Sequence, residues 1–330
     1  MTTEEFVTLH AKAIEVIDQV GWHWFGYHFQ NGPRPFATSI LSSCASINRK
    51  TGVVGTELLV ELVSIGGRVR DQRQYEQLLQ KLSEILVIER VVNCPWPEGT
   101  TFEHEPAAIR NGPRPEILVT SPNGRLIVEV KSPSLLNHVM ARGENEVQVP
   151  YRGGIPLETA RQITRGEITL PRDNPVFDFL RDGERKFAGF RDDGSTSSLL
   201  VIVWDDYIYE PISTLVNEAS GLLTPNSFAR GADGTAERFP NVDNVILVRH
   251  LNYFVEAAAE RPLMDREHGM DFGNEQALPN VVFEGHGGRP IPAFVLEALR
   301  AYPHDDPELR RFAEYNPQDV VFWVGGQPKG

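Results

Sequence analysis

The chain reads as an α/β protein, a sheet covered by helices on both faces. Strand-like apolar runs, at residues 198–204 and 245–249, alternate with segments of helical periodicity, which is the pattern of a layered α/β fold. Apart from Ser198 and Arg249 at their ends, those runs are apolar at consecutive residues rather than at every second one, as strands buried on both faces are. The composition, 41% hydrophobic and 23% charged over 330 residues, is globular and leaves room for about two domains.

The elements follow in order. Phe6, Leu9, Ala13, Val16 and Ile17 recur at helical spacing and predict a helix over 3–19, with Thr2 and Glu5 at capping-box spacing and Gly21 as a stop. An aromatic cluster follows, Trp22, Trp24, Phe25, Tyr27 and Phe29, with His23 and His28 between. Such a cluster stacks unpaired bases in some proteins and is core or interface in more. Tyr75, Leu78, Leu79, Leu82 and Leu86 form one stripe of a helix over 74–86. Strands are expected at 87–93, 115–120 and 125–131, the last two joined by Ser121-Pro122-Asn123-Gly124, which is good turn chemistry. Helices are expected near 157–165, 175–190 and 212–223, separating the strands at 198–204 and 245–249. Beyond about 255 come short helices near 293–301 and 307–315 and a strand-like 320–324.

Charge narrows the function classes. With 32 Lys+Arg against 45 Asp+Glu the net charge is −13, which argues against coating nucleic acid or anionic membrane by bulk charge. The basic residues are unevenly placed: Arg110, Arg114, Arg125, Lys131, Arg142, Arg152, Arg161, Arg165 and Arg172 outnumber the acids of residues 109–172. Two cysteines, Cys44 and Cys94, make neither a disulfide framework nor a zinc cluster. The sequence shows no membrane-length apolar run and no signal-peptide pattern at its start, so a cytoplasmic setting is expected.

The 115–131 hairpin carries the chemistry. If residues 121–124 close it so that Thr120 faces Arg125, then Glu116 faces Glu129, and period-2 alternation puts Lys131 on the face of Glu129. Opposed carboxylates about 5 Å apart repel by roughly 3 kcal/mol at an effective dielectric near 20. A hard divalent cation relieves that conflict, because Mg²⁺ prefers carboxylate oxygen.

Pro115-Glu116, twelve further residues, then Glu129-Val130-Lys131 resembles the signature of the PD-(D/E)xK superfamily, the restriction-endonuclease-like nucleases. The order of expected elements over about 71–250, roughly half the chain, is also similar. One departure is Glu116, where the family usually has Asp. The resemblance implies a restriction-endonuclease-like core over 71–255, a mixed central sheet flanked by helices. A mostly helical N-terminal region (1–70) precedes it and a mixed C-terminal accessory region (256–330) follows. It implies a Mg²⁺- or Mn²⁺-dependent nuclease that hydrolyses phosphodiester bonds, of DNA more than RNA, in restriction, phage defence or repair. Glu116, Glu129 and the Val130 backbone carbonyl would hold the metal, and Lys131 would orient the attacking water or help deprotonate it.

Relatives often add an acid from the preceding helix. With the apolar stripe at the centre of a helical wheel, Glu84 points to solvent and Glu76 lies at the stripe edge, so Glu76 is the expected acid. Gln162, Arg161 and Arg165 on the next helix, and Arg114, are candidates for phosphate contact. A homodimer or a protein partner fits the same reading. The rival expectation is a nuclease-fold protein without activity, acting as a binding or assembly subunit.

Overall fold

The computed structural model describes residues 3–110, 112–134, 147–148, 162, 175–191, 194–205, 208–317 and 323–324. Five helices come first: α1 (Thr3–Val20), α2 (Gly26–Phe29), α3 (Pro35–Thr51), α4 (Val54–Ser64) and α5 (Gln72–Val92). Then follow β1 (Thr101–His104), β2 (Ile117–Ser121), β3 (Gly124–Lys131), β4 (Val147–Gln148), α6 (Pro175–Ala188) and β5 (Thr196–Trp204). The remainder comprises α7 (Tyr209–Val216), β6 (Asn244–Arg249), α8 (Leu251–Ala258), β7 (Asn280–Glu284), α9 (Ala293–Ala298), β8 (Ala301–Pro303) and β9 (Trp323–Val324).

One mixed sheet of seven strands organises these elements, in the order β1-β2-β3-β5-β6-β7-β8, and β4 pairs separately with β9. β1, β2 and β3 form an antiparallel meander; β3, β5 and β6 run parallel; β7 is antiparallel to β6. β7 and β8, drawn from the last quarter of the chain, continue the same sheet. Period-2 alternation divides the side chains between two cores. Val119, Val128, Val201 and Val248 pack under α1, α3, α4, α5, α8 and α9. Leu118, Ile127, Leu200 and Leu247 pack under α6 and α7. The sheet is thus covered on both faces, as the apolar strands require. No helix of the described residues is long and apolar enough to cross a membrane.

The sequence-based expectations hold for the central hairpin and fail in instructive places. Residues 87–93 do not form a strand: α5 runs on to Val92, with Val87, Ile88, Val91 and Val92 all buried. These β-branched residues favour a strand by propensity, but burial on all sides of the helix overrides that preference. The first strand of the meander is instead β1, a four-residue edge strand too short and too exposed to show a pattern. The helix expected to reach Leu223 stops at Val216, where the Asn217 side chain accepts the N–H groups of Ala219 and Ser220 and turns the chain. Residues 307–315 make two short 3₁₀ turns, Leu309–Arg311 and Ala313–Tyr315, rather than an α-helix. Of the helix expected at 157–165 only Gln162 is described, and of the strand at 320–324 only 323–324.

Cys44 and Cys94 are free thiols in the core. Burial pushes the Cys94 thiol up to about 12 and Cys44 higher still, so neither is a reactive thiolate.

Candidate active site at the end of the β2–β3 hairpin

The turn forms as its residues dictate. The Ser121 hydroxyl donates to the Gly124 carbonyl at 2.9 Å, and Gly124 takes φ +136°, which glycine tolerates without strain. Register follows: Thr120 pairs with Arg125, Leu118 with Ile127 and Ile117 with Val128. The regular ladder ends there, one residue before the expected Glu116–Glu129 pair. The Glu116 N–H donates to Val128 O at 3.0 Å, the carbonyl already opposite Ile117. Glu116 and Ile117 therefore share one opposing residue, the offset of a β-bulge, which re-aims a side chain and ends pairing. Beyond it, residues 129–131 pair with β5 alone.

Glu129 is completely buried in the middle of the sheet. Its Oε1 accepts from Lys186 Nζ at 2.6 Å and from Lys131 Nζ at 2.7 Å. Its Oε2 is buried with no hydrogen-bond partner among the described residues. Lys131 also reaches Asp182 Oδ2 at 2.6 Å, and Asp182 pairs in turn with Arg185. Asp182 and Lys186 lie one turn apart on α6, beside the stripe of Val176, Leu180, Gly183 and Phe187 that seats the helix on the sheet. Burial acts to lower Lys131, but Glu129 and Asp182 outweigh it and hold the ammonium well above its ordinary range. Burial likewise works against Asp182, and the Lys131 and Arg185 hydrogen bonds hold its carboxyl below the usual range.

Glu84, expected in solvent, belongs to this cluster. Its side chain is only 16% exposed, and it pairs with Lys81, which also binds Glu61 at 2.7 Å. The apolar stripe misleads because α5 is buried over more than one face: its Leu stripe meets the other helices, while a polar row faces the end of β3. That row is Glu76, Gln80 and Glu84, spaced by four residues. Gln80 donates to Ser132 O at 3.5 Å, and the Ser134 hydroxyl donates to Glu76 Oε2 at 2.8 Å. Glu76 is thus engaged with the segment leaving β3, and Glu84 occupies the place at the carboxylates that Glu76 was expected to take.

Glu116 feels the combined effect. Burial first, then the charges of Glu84 and Glu129, push its carboxyl up to about 9. The Glu84 carboxyl is also raised, by burial ahead of all else. Three carboxyls thus face three ammoniums, Lys81, Lys131 and Lys186, and Glu116 stays protonated near neutral pH.

The donor set fits a hard divalent cation. Among the described residues nothing donates to Glu129 Oε2, and Glu116 is kept neutral by burial together with repulsion, the second of which a cation would remove. Among the described residues no group of three or more His, Cys, Asp or Glu side chains is assembled to hold a metal. Two carboxylates with water completing the shell is nonetheless an ordinary arrangement for Mg²⁺.

The other expected residues lie apart. Arg114 is exposed and reaches Glu105 at 3.7 Å. Gln162 is exposed, while Arg161 and Arg165 fall outside the described residues, as do Arg142, Arg152 and Arg172. Sequence reasoning missed Lys81, Glu84, Asp182 and Lys186. The four-residue spacing of Glu76, Gln80 and Glu84, and of Asp182 and Lys186, was the available signal. Family-model, curated-protein and solved-structure comparisons return no match to this chain.

Proposed function

We propose that the chain is a metal-dependent nuclease of the PD-(D/E)xK type, with a restriction-endonuclease-like core, hydrolysing phosphodiester bonds of DNA in preference to RNA. The observation that carries this reading is the convergence of Glu116, Glu129 and Lys131 where the β2–β3 ladder ends, joined by Glu84 from the preceding helix. Glu116 and Glu129 would hold Mg²⁺ or Mn²⁺, with the Val130 carbonyl, on the stretch of β3 that β2 no longer pairs, as a further ligand. When bound, the ion would supply an acidified water and charge stabilisation at the phosphoryl oxygens.

The chain's own residues have distinct tasks. Lys131, locked as an ammonium by Glu129 and Asp182, is a poor base; it suits orienting water and offsetting phosphate charge. Lys186 adds a second cation on the same Glu129 oxygen and fixes that carboxylate in place. Glu84 with Lys81 sets the local charge against which Glu116 releases its proton when a cation arrives.

The test is incubation of the purified chain with linear, circular and single-stranded DNA and with RNA, with Mg²⁺ or Mn²⁺ and with chelator. Metal-dependent cleavage, abolished by Glu129→Ala and by Lys131→Ala, is expected. Glu116→Asp, which restores the family's usual residue, is expected to retain or raise the rate. Absence of cleavage on every substrate would overturn the reading in favour of an inactive nuclease-fold binding subunit.

A further inference from the structure

A second polar feature begins where α5 begins. Between the 22–25 segment, the start of α5 and the end of α8 lies an open groove of about 690 Å³. Trp24 and Tyr75 form one wall, with ring centroids 4.8 Å apart. The Trp24 ring is only half-buried and is fixed in place, since its indole N–H donates to Asp71 O at 2.8 Å. The Arg70 guanidinium sits over that ring, 4.4 Å from its centroid, and lines the groove.

Arg70 lines the groove of an otherwise acidic chain, and Arg68 and Arg73 lie two and three residues from it in sequence. Arg68, Arg70 and Arg73 are all exposed within six residues, and none is in an ion pair among the described residues. The acids close by are already committed. Asp71 accepts the Arg73 N–H at 2.9 Å as the cap of α5, Glu256 pairs with Arg261, and Glu260 pairs with Arg34 at 2.7 Å. An aromatic wall beside exposed guanidiniums that make no ion pair among the described residues is the chemistry that takes a planar base on its face and the adjoining phosphate at its edge.

Position joins this groove to the carboxylates. Gln72, which lines the groove, stands four residues before Glu76 in the row Glu76, Gln80, Glu84. At 1.5 Å per residue the groove and Glu84 are about 18 Å apart along α5, a span of a few nucleotides.

We propose that this groove binds an unpaired nucleobase with its flanking phosphates, and so receives single-stranded DNA a few nucleotides from the cleavage site. The link to cleavage rests on the nuclease reading above; binding itself does not. Trp24 supplies the stacking face, Arg70 swings from the ring to a phosphate, and Arg73 and Arg68 neutralise the next ones.

The experiment measures binding of a fluorescein-labelled oligothymidylate to the full chain by anisotropy, in chelator so that nothing is cut, over a salt series. Trp24→Ala is expected to weaken binding by roughly 5- to 150-fold, the range for loss of one base–aromatic stack, and Trp24→Phe to retain most of it. Arg70→Ala and Arg73→Ala are each expected to lower the slope of log K against log salt by about 0.7, one single-strand phosphate contact apiece. Because Trp24 also packs against Tyr75, the surface variant Arg70→Glu/Arg73→Glu gives a test free of folding effects and should bind at least tenfold more weakly. Wild-type affinity in that variant, or thymidine monophosphate binding as tightly as the oligomer, would overturn the proposal. Cleavage without any effect of the groove variants on binding would sink the groove alone. Groove-dependent binding without cleavage of any substrate would sink the nuclease reading alone.

Discussion

Glu116 gives the sharpest physical test of the site, because its predicted effect is opposite to that of most substitutions. The carboxyl titrates at about 9 in the folded protein, against 4.5 ordinarily, owing to burial and to the charges of Glu84 and Glu129. With no divalent cation, the unfolded chain gives up this proton at neutral pH and the folded chain keeps it. A raised folded pKa means stability that is complete below pH 4.5 and declines as pH rises towards 9. At 1.36 kcal/mol per unit, the handicap at pH 7 is about 3 kcal/mol and at pH 5 under about 1 kcal/mol. Glu116→Gln keeps the shape and removes the titration. The variant is therefore expected to be more stable than wild type in chelator, with a gap that widens from pH 5 to pH 8. With an unfolding entropy of about 2.1 cal/mol/K per residue, 3 kcal/mol in a chain of this length raises the midpoint by roughly 4 °C at pH 7. Scanning calorimetry or thermal circular dichroism over that pH range measures it. Adding Mg²⁺ should stabilise wild type by mass action and leave the variant nearly unmoved. A variant less stable at every pH, or a gap that does not change with pH, would refute the account of Glu116.

Other expectations bear on the same frame. Glu129→Ala leaves Lys131 and Lys186 without their shared acceptor and should cost about 3–5 kcal/mol; combining it with Lys186→Met should recover at least about 1 kcal/mol, read from urea unfolding as a non-additive cycle. Asp243, with a fully buried side chain, pairs with Arg191 and accepts the N–H groups of Ser198 at 2.8 Å and Arg289 at 2.9 Å, so Asp243→Ala should lose about 3–5 kcal/mol in the same assay. His250 is held neutral, with its pKa lowered to about 3 by burial and by Arg266. The unfolded chain takes up this proton below about pH 6.5, so stability falls as pH drops, by about 2 kcal/mol at pH 5. His250→Gln should flatten that acid limb, and an unchanged limb would assign it elsewhere.

The hairpin was legible in sequence because turn chemistry and period-2 alternation are local: Ser121-Pro122-Asn123-Gly124 sets the turn, and the turn sets the register. Its last step was not legible. The bulge at Glu116 depends on how the chain enters β2 beside β1, and β1 has no pattern of its own. The helix carrying Glu84 was recognised, but a wheel centred on leucines assumes one buried face. α5 has two, one against helices and one against the end of β3, so the row Glu76, Gln80 and Glu84 was read as an edge and a solvent face. Asp182 meets Lys131 across 51 residues and Lys186 meets Glu129 across 57, a distance over which only the packed fold decides contact. The run 87–92 shows propensity yielding to burial.

The last quarter of the chain also protects the sheet from itself. β6 is apolar from Val245 to Val248 and buried at every residue, and its outer backbone edge is closed by β7. Removing residues beyond Ala258 would bare a strand edge whose four central residues are apolar, a template for pairing between copies. Such a truncation should leave the carboxylate cluster in sequence yet drive the protein into aggregates. The segment behaves as a built-in cover against self-association, whatever else it recognises.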